Sequence, residues 1–543
     1  MNSQRPFCRQ VLVLLLGITI MTLGNAQVET AQAGEKTRLT ISVREAAKSM
    51  DSASLYGGVE AVVAVNAYDV LYYPEIDATG AEVPKPRLAT DAKVSKDGLV
   101  YTVKIREGVK FHDGTELTAE DVAFSMDRTL MIKKGVVWLW LGTIEPGFTR
   151  AIDKYTVEFR LKAPSASFIP SLTRLYIVNK KLILSKKADG SYGEFGDFGV
   201  TWLNQGNDAG SGAYKLTSWE PRGKTVLTRN TDYWRGWKGA RHVDDLNVAV
   251  ILEEATAKTM LMKGEIDMDD GWNSPSFYEQ LKGVPGVVVE KRPWAQLQII
   301  SFNTKKPPYD DVHVRRAVSW AFDYQIPVKV QNPGSIQARG VIPKGVFGYN
   351  ETLFQYTQDL GKAKEELAKS KYSMEQLGKM KIEYVGMNAQ KYLEPGLLLK
   401  DNLAKIGLNV EIVPTEWVNI VSRMAKPETA PHHTGWWNTL KVPDPDSYLS
   451  GWLTPATWGG FQGMCYYDNP KVTNLIASSL METDLAKRKA LINEIQQLVI
   501  EDAPAVLLTN PSFSLARREW VKGWTYVNSV NYSLEVYPIT VEK

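Results

Sequence analysis

Cysteine is nearly absent from this chain, which has only two among its 543 residues. Cys8 lies in an N-terminal segment that we expect to be removed, so Cys465 would remain alone and no intramolecular disulfide could form. A chain of this length implies two or three domains, with cores large enough to fold without such cross-links. The lack of disulfides is therefore compatible with an oxidising compartment but does not establish one.

The sequence also lacks an excess of charge of either sign. It contains 64 Lys and Arg residues against 61 Asp and Glu residues, for a formal net charge of +3. Proteins that bind nucleic acids or other polyanions usually carry a strongly basic surface. The composition therefore gives no indication of a nucleic-acid partner.

Long hydrophobic runs are missing except near the N-terminus. Arg5 and Arg9 precede an apolar stretch over residues 11–23, and Ala31-Gln32-Ala33 forms an A-x-A cleavage site. These features predict a signal peptide over residues 1–33 and a periplasmic mature protein, although a second cleavage site stays open. The apolar stretch is shorter than the roughly 20 residues that a membrane span needs, and no later segment approaches that length.

Enzyme signatures are scarce as well. The sequence has no G-x-S-x-G nucleophile motif, no H-E-x-x-H zinc motif and no P-loop. Pairs of carboxylates can serve a glycoside hydrolase, but neighbouring aspartates more often cap helices or lie in solvated loops. The pairs are Asp269-Asp270, Asp310-Asp311 and Asp444 with Asp446. We therefore expect a binding protein rather than an enzyme, and a secreted hydrolase stays open as the alternative of another class.

Histidine occurs only five times, and His432-His433 is the one place where two histidines are adjacent. Metal sites need several His, Cys or carboxylate ligands at characteristic spacings, which this pair lacks. We expect an exposed polar loop at this pair, and we predict neither a metal site nor a cofactor.

What the sequence does have is a regular alternation of strand and helix signals, which favours an α/β fold. The segment 87–128 (RLATDAKVSKDGLVYTVKIREGVKFHDGTELTAEDVAFSMDR) shows these signals most clearly. Asp97-Gly98 predicts a tight turn, and apolar residues alternate with polar ones over residues 101–105 as in a half-buried strand. Thr118 and Asp121 are spaced to cap the start of a helix.

A second informative block covers residues 301–323 (SFNTKKPPYDDVHVRRAVSWAFD). Its apolar residues recur at the spacing of one helix face, and Asp310 or Asp311 is placed to cap that helix. The block therefore predicts an amphipathic helix that follows a strand.

The blocks 87–128 and 301–323 resemble signature segments of the family 5 extracytoplasmic solute-binding proteins, the peptide- and nickel-binding components of ABC importers. The resemblance implies a two-lobed α/β periplasmic-binding-protein fold of type II-like form, with an extra subdomain inserted in lobe I. It also implies the domain boundaries: residues 34–65, 205–295 and 508–543 for lobe I, residues 66–204 for the inserted subdomain and residues 296–507 for lobe II.

The resemblance implies a function as well. We expect a monomeric protein that captures a small organic solute between its lobes and delivers it to an ABC permease in the inner membrane. Peptide is the first expectation for the solute. An oligosaccharide, an opine-like compound or another anionic metabolite is the alternative.

The segment 435–452 (GWWNTLKVPDPDSYLSGW) resembles the loop that lines the ligand cleft in this family. In peptide-binding members, an aspartate shortly before the Asp-Pro element pairs with the α-ammonium group of the ligand. Asp444-Pro445 matches that element here, but Lys441 stands where the acid is expected. A buried lysine would favour an anionic or polyhydroxyl partner over a peptide N-terminus, and a solvated loop lysine is the open alternative.

Tryptophan is the outlier of the composition, with 16 residues. Flat aromatic faces stack on sugar rings, aromatic groups and apolar side chains, although most tryptophans of a large protein pack in cores. By the resemblance, five of these tryptophans lie near the cleft. The predicted ligand-binding residues are Trp272, Trp294, Trp417, Trp436, Trp437, Asn438, Lys441 and Asp444.

Overall fold

Strands and helices alternate along the chain from Arg38 onward. The computed structural model describes residues 36–55, 59–78, 80–239, 241–388, 390–460, 462–529 and 534–543. The predicted signal peptide lies outside these residues. Among the described residues, no helix is both long enough and apolar enough to cross a bilayer.

The described strands form three sheets and two short ribbons. In chain order they are β1 (Arg38–Val43), β2 (Tyr72–Ile76), β3 (Glu82–Pro86), β4 (Ala89–Val94), β5 (Val100–Ile105), β6 (Thr149–Asp153), β7 (Thr156–Arg160), β8 (Tyr214–Trp219), β9 (Lys224–Arg229), β10 (Asp245–Val250), β11 (Met268–Asp269), β12 (Val287–Pro293), β13 (Gln296–Phe302), β14 (Ile336–Gln337), β15 (Ile382–Met387), β16 (Val410–Thr415), β17 (His433–Thr439), β18 (Ala505–Asn510), β19 (Ser512–Arg518), β20 (Val521–Lys522) and β21 (Thr540–Val541).

The described α-helices lie mostly between these strands. They are α1 (Val59–Ala67), α2 (Ala119–Ile132), α3 (Phe168–Ser171), α4 (Lys180–Ser185), α5 (Val200–Leu203), α6 (Glu254–Lys263), α7 (Pro275–Leu281), α8 (Val312–Ala321), α9 (Leu360–Leu367), α10 (Met374–Lys379), α11 (Gln390–Ala404), α12 (Trp417–Arg423), α13 (Ser450–Leu453), α14 (Pro470–Met481) and α15 (Leu485–Asp502). Short 3-10 turns include Leu172–Arg174 and Pro445–Tyr448.

The first sheet has seven strands in the order β12-β19-β11-β1-β10-β9-β8. Strand β1 runs parallel to both β10 and β11, whereas β9 and β19 are antiparallel to their neighbours. Leu39, Ile41 and Val43 of the central strand are fully buried. This strand therefore anchors the core of the first sheet.

The second sheet has six strands in the order β14-β18-β13-β17-β15-β16. Strand β15 runs parallel to β16 and β17, whereas β13 is antiparallel to β17 and β18. Leu297 and Ile299 of β13 belong to one hydrophobic cluster, and Ile300 and Phe302 belong to another. The sheet is therefore covered by apolar side chains on both faces, as expected for a largely apolar central strand.

Two short connections join the first sheet to the second. Trp294 and Ala295 link β12 to β13, and Pro511 links β18 to β19. All the strands between β13 and β18 in the sequence belong to the second sheet. Within the part of the chain that the structure describes, these two places are therefore the only crossings between the sheets, and they are adjacent, since the N–H of Trp294 donates to the carbonyl of Pro511 at 3.2 Å.

The third sheet has four antiparallel strands in the order β4-β5-β7-β6 and packs against α2. Gly98 forms the predicted turn between β4 and β5 with a φ of +71°. The N–H of Thr118 donates to Asp121 Oδ2 at 2.9 Å, directly before α2 begins at Ala119. The turn, strand and capped helix predicted from residues 87–128 are therefore confirmed.

Candidate ligand-binding cleft

The carboxyl ends of several strands of the first sheet meet at one edge. Strands β1, β10 and β11 are parallel, and β12 runs the same way because both β11 and β12 are antiparallel to β19. Trp272 closely follows β11, and Trp294 directly follows β12. Their rings are in edge-to-face contact, with centroids 5.1 Å apart and planes at 70°. Two of the predicted tryptophans therefore come together at this edge.

The second sheet has a corresponding edge. Strands β15, β16 and β17 are parallel, so Trp417, after β16, and Lys441, after β17, lie at the same edge. The first residue of β13, Gln296, pairs with Thr439 at the carboxyl end of β17. The connection through Trp294 therefore brings the carboxyl edges of the two sheets together. Open α/β sheets bind ligands in crevices outside the carboxyl ends of their strands.

The loop that carries Trp272 is held by two buried aspartates. Asp269 accepts a hydrogen bond from the Tyr278 hydroxyl at 2.6 Å. Asp270 accepts hydrogen bonds from the N–H groups of Arg44 at 3.2 Å and Trp272 at 3.1 Å. Burial and the adjacent charge of Asp269 raise the pKa of Asp270 to about 7. The partners of these carboxylates are backbone and side-chain donors of the protein, so the pair positions the loop.

Trp437 makes a second aromatic contact, on β17 of the second sheet. Its ring meets that of Tyr392 edge to face, with centroids 4.7 Å apart. Burial raises the pKa of Tyr392, the charge of Glu45 raises it further, and the charge of Arg44 lowers it. Glu45 and Arg44 directly follow β1 of the first sheet. Tyr392 is therefore within electrostatic reach of the carboxyl edge of the first sheet.

Lys441 lies just beyond the end of β17 and is half-buried. Its Nζ donates a hydrogen bond to Thr439 Oγ1, and its backbone N–H donates to Ser447 Oγ at 3.3 Å. Burial, and then the positive charge of Arg174, lower the pKa of Lys441 to about 8. The side chain is therefore not a fully solvated loop lysine.

Asp444 is buried and has charged and polar partners within the protein. Arg488 donates to its two carboxylate oxygens at 2.8 and 2.9 Å, and the Ser167 hydroxyl donates to Oδ1 at 2.7 Å. The N–H of Ala166 also donates to the carbonyl of Leu480 at 2.6 Å. These bonds connect the segment before α3 to the loop and helices that flank the second sheet.

The remaining predicted residues lie in different surroundings. Trp436 keeps 9% of its surface exposed and belongs to the same hydrophobic cluster as Leu297 and Tyr448. Asn438 is buried on β17, where it pairs with Leu297. Trp417 begins α12 and is 41% exposed. A ligand-binding role for each of these residues stays a prediction.

The expectation of an exposed polar loop at the histidine pair is wrong for His433. This residue begins β17 and is fully buried, and its Nε2 lies 2.6 Å from the Tyr309 hydroxyl. His432 is half-buried, with its Nδ1 3.8 Å from Glu383. Among the described residues, no three His, Cys, Asp or Glu side chains form a group that could hold a metal ion.

Sequence reasoning missed four residues that contribute to this region. Tyr392 contacts Trp437, Arg174 lowers the pKa of Lys441, and Ser167 and Arg488 bind Asp444. Each of them is distant in sequence from its partner, and no local spacing pattern marks it. No sequence signal points to these four residues except Lys441, and the partners of that lysine are apparent only from the fold.

Comparison with known proteins identifies the chain. A sequence model of the bacterial extracellular solute-binding proteins, family 5 Middle, matches residues 83–460. The chain belongs to this family. The probable D,D-dipeptide-binding periplasmic protein DdpA of Escherichia coli strain K12 is 29% identical over 443 residues, which cover 81% of each chain. The periplasmic oligopeptide-binding protein OppA of the same strain is 26% identical over 515 residues, which cover 90% of each chain.

Solved structures of periplasmic binding proteins share the fold. The periplasmic binding protein DppA from Helicobacter pylori, in complex with the peptide STSA, superposes with a TM-score of 0.78 at 27% identity. The match covers 93% of this chain and 98% of that one. The two-lobed α/β fold and the class predicted from the sequence, a solute-binding component of an ABC importer, are confirmed. The family consists of solute-binding proteins, and the relatives named here are periplasmic.

Proposed function

We propose that this protein is exported through its signal peptide, residues 1–33, and captures a peptide in the crevice between the carboxyl edges of the first and second sheets. As a monomer, it then delivers the peptide to an ABC permease in the inner membrane. The observation that carries this proposal is the contact between Trp272 and Trp294 where the two edges join. An aromatic pair that keeps exposed surface suits the apolar and aromatic groups of a peptide.

The two connections between the sheets supply the hinge. The N–H of Ala295 donates to Asn528 Oδ1 at 2.9 Å, and the Tyr448 hydroxyl donates to the carbonyl of Ala295 at 2.5 Å. These bonds hold the crossing point while the flanking sheets rotate. A solute that touches both sides of the crevice favours the closed arrangement, as in other hinged binding proteins.

We assign the lobes around this hinge. The first sheet belongs to lobe I, the second sheet to lobe II and the third sheet to the subdomain inserted in lobe I. The ranges predicted from the sequence are residues 34–65, 205–295 and 508–543 for lobe I, residues 66–204 for the inserted subdomain and residues 296–507 for lobe II. We move the last boundary of lobe II to Asn510, where β18 of the second sheet ends.

The proposed ligand contacts have two roles. Residues that keep surface at the crevice would touch the solute, and buried ones would support them from beneath. The first group is Trp272, Trp294, Trp417, Trp437 and Lys441, and the second is Trp436, Asn438 and Asp444. Asp444 falls in the second group because Arg488 and Ser167 already bind its oxygens.

Peptide is the solute class that the relatives support. DdpA is named for D,D-dipeptides, OppA for oligopeptides, and the DppA structure contains a peptide. An anionic metabolite is the second candidate, because Lys441 and Arg174 place positive charge at the edge of the second sheet.

Native mass spectrometry of the purified protein, followed by titration with mixed di- to tetrapeptides, tests the proposal. We expect one peptide per monomer, released unchanged on denaturation. Cleavage of the peptides in proportion to protein concentration would favour the secreted hydrolase instead. No binding of any peptide would contradict the proposal.

A further inference from the structure

The ammonium group of Lys441 lies on the crevice side of β17. Its hydrogen-bond acceptor is Thr439, and alternate residues of a strand share a face, so Thr439 and Trp437 project from the same side of β17. The Trp437 ring contacts Tyr392, which is within electrostatic reach of Arg44 and Glu45 in lobe I. The lysine is therefore on the face of lobe II that lobe I approaches.

Lys441 has no acidic partner among the described residues. Asp444, the nearest acid in sequence, is bound through both oxygens by Arg488. Asp446 accepts the N–H of Ser450 at 3.2 Å and also the hydroxyl of that serine. The acids that follow Lys441 in the chain are thus engaged elsewhere.

A second cation lies near Lys441. Arg174 is buried, with 7% of its surface exposed, at the end of the 3-10 turn Leu172–Arg174. Its charge is close enough to disfavour the protonated form of Lys441. Charged groups that leave water are normally compensated by an opposite charge. The described residues of the protein do not supply a negative charge to Lys441. We therefore expect a ligand to supply it.

We propose that Lys441 binds the C-terminal carboxylate of the peptide solute, with the charge of Arg174 adding to the positive potential around it. This inference rests on the proposed function, since it takes a peptide to occupy the crevice. Charge-assisted hydrogen bonds from lysine and arginine to a carboxylate are among the stronger polar contacts in proteins. A peptide ammonium in the same position would be repelled by both cations.

Two peptide libraries separate the alternatives. Both consist of tri- and tetrapeptides of randomised uncharged residues. One library is N-acetylated, so that the carboxylate is its only charge, and the other is C-amidated, so that the ammonium is its only charge. We expect the wild-type protein to bind the N-acetylated library at least about tenfold more tightly, the size of one charged hydrogen bond. Tighter binding of the C-amidated library would overturn the inference and leave the proposed function intact.

Variants of Lys441 assign the preference to this residue. Lys441→Met keeps the length of the side chain without its charge and should weaken binding of the N-acetylated library by about tenfold. Lys441→Arg keeps the charge and should retain the preference. Unchanged binding by Lys441→Met would overturn the inference.

Lys306→Met is the matched control. Lys306 is also half-buried, and burial lowers its pKa, but its Nζ lies 3.7 Å from Glu383. It follows β13, which is antiparallel to β17, so it lies at the far edge of the second sheet from Lys441. This control should bind both libraries as the wild type does. Failure of the wild type to bind either library would contradict the proposed function together with this inference.

Discussion

Single side chains that are predicted to bind the ligand differ in what surrounds them. Trp272 is 36% exposed and touches Trp294, whereas Trp436 is 9% exposed within a hydrophobic cluster. Truncating a buried tryptophan typically lowers the free energy of unfolding by about 3–5 kcal/mol, while an exposed ring contributes much less to folding. Substitutions at these positions should therefore separate binding from stability.

We expect Trp272→Ala to weaken peptide affinity by about tenfold, because it removes an aromatic contact worth roughly 1 kcal/mol or more. Its urea midpoint should stay close to that of the wild type. Trp452→Ala is the stability control, since Trp452 is only 1% exposed, and should lower the midpoint strongly. Calorimetric titration with unfolding curves checks both. Wild-type affinity in Trp272→Ala would remove this residue from the site.

His433 should make stability depend on pH. Burial, and then the charge of His432, keep the pKa of His433 well below its usual value. The unfolded chain therefore binds one more proton than the folded protein below about pH 6.5. This contribution to stability is complete above that pH and is lost as the pH falls, by about 1 kcal/mol per pH unit.

Urea unfolding at pH 6.5 and 5.5 tests this dependence. Between pH 6.5 and pH 5.5, the free energy of unfolding of the wild type should fall by about 1 kcal/mol more than that of His433→Gln. His313→Gln is the control, because His313 is half-buried and pairs with Glu366 at 2.8 Å. Groups with raised pKa values, such as Asp270, act in the opposite direction but are common to all three proteins. Equal pH dependence in wild type and His433→Gln would contradict the assignment.

At the scale of elements, the segment before α3 is bonded to the region around α14 and α15. Ser167 donates to Asp444, which pairs with Arg488 of α15. In the proposed lobe assignment, this contact connects the inserted subdomain of lobe I to lobe II. It would therefore stabilise the closed arrangement.

Ser167→Ala should shift the protein toward the open arrangement. It removes one hydrogen bond worth about 1 kcal/mol and leaves the Asp444–Arg488 pair in place, so peptide affinity should fall about fivefold with little loss of stability. Ser185→Ala is the matched control, because the Ser185 hydroxyl bonds within its own helix at Leu182. Affinity equal to that of the control would show that the contact does not contribute to closure.

Elements with local signals were predictable from the sequence, whereas contacts between distant elements were not. Asp311 caps α8 by accepting the N–H of His313 at 2.8 Å, as the spacing in the block 301–323 indicated. His433 was predicted to lie in an exposed polar loop because no metal-ligand spacing surrounds it, yet the hydroxyl of Tyr309, 124 residues away, pairs with its buried Nε2. Likewise, Arg488 is 44 residues from Asp444. Periodicity and capping report local structure, and they carry no information about which distant partner compensates a buried polar group.

At the scale of the whole molecule, the proposed function depends on the paired connections between the sheets. The chain crosses at Trp294-Ala295 and at Pro511, and the rest of each sheet is built from its own segments. Such a joint permits rotation of two lobes about a few residues. A protein that closes around its peptide in this way must change the distance between its lobes on binding.

Spin-label distance measurements test that requirement most directly. Cys465 is fully buried, so labels can be placed at Lys263→Cys on α6 and Lys379→Cys on α10, whose lysines are 65% and 74% exposed. We predict a shorter and narrower distance distribution at saturating peptide than in the free protein. The same distribution with and without bound peptide would contradict closure of the lobes around the solute.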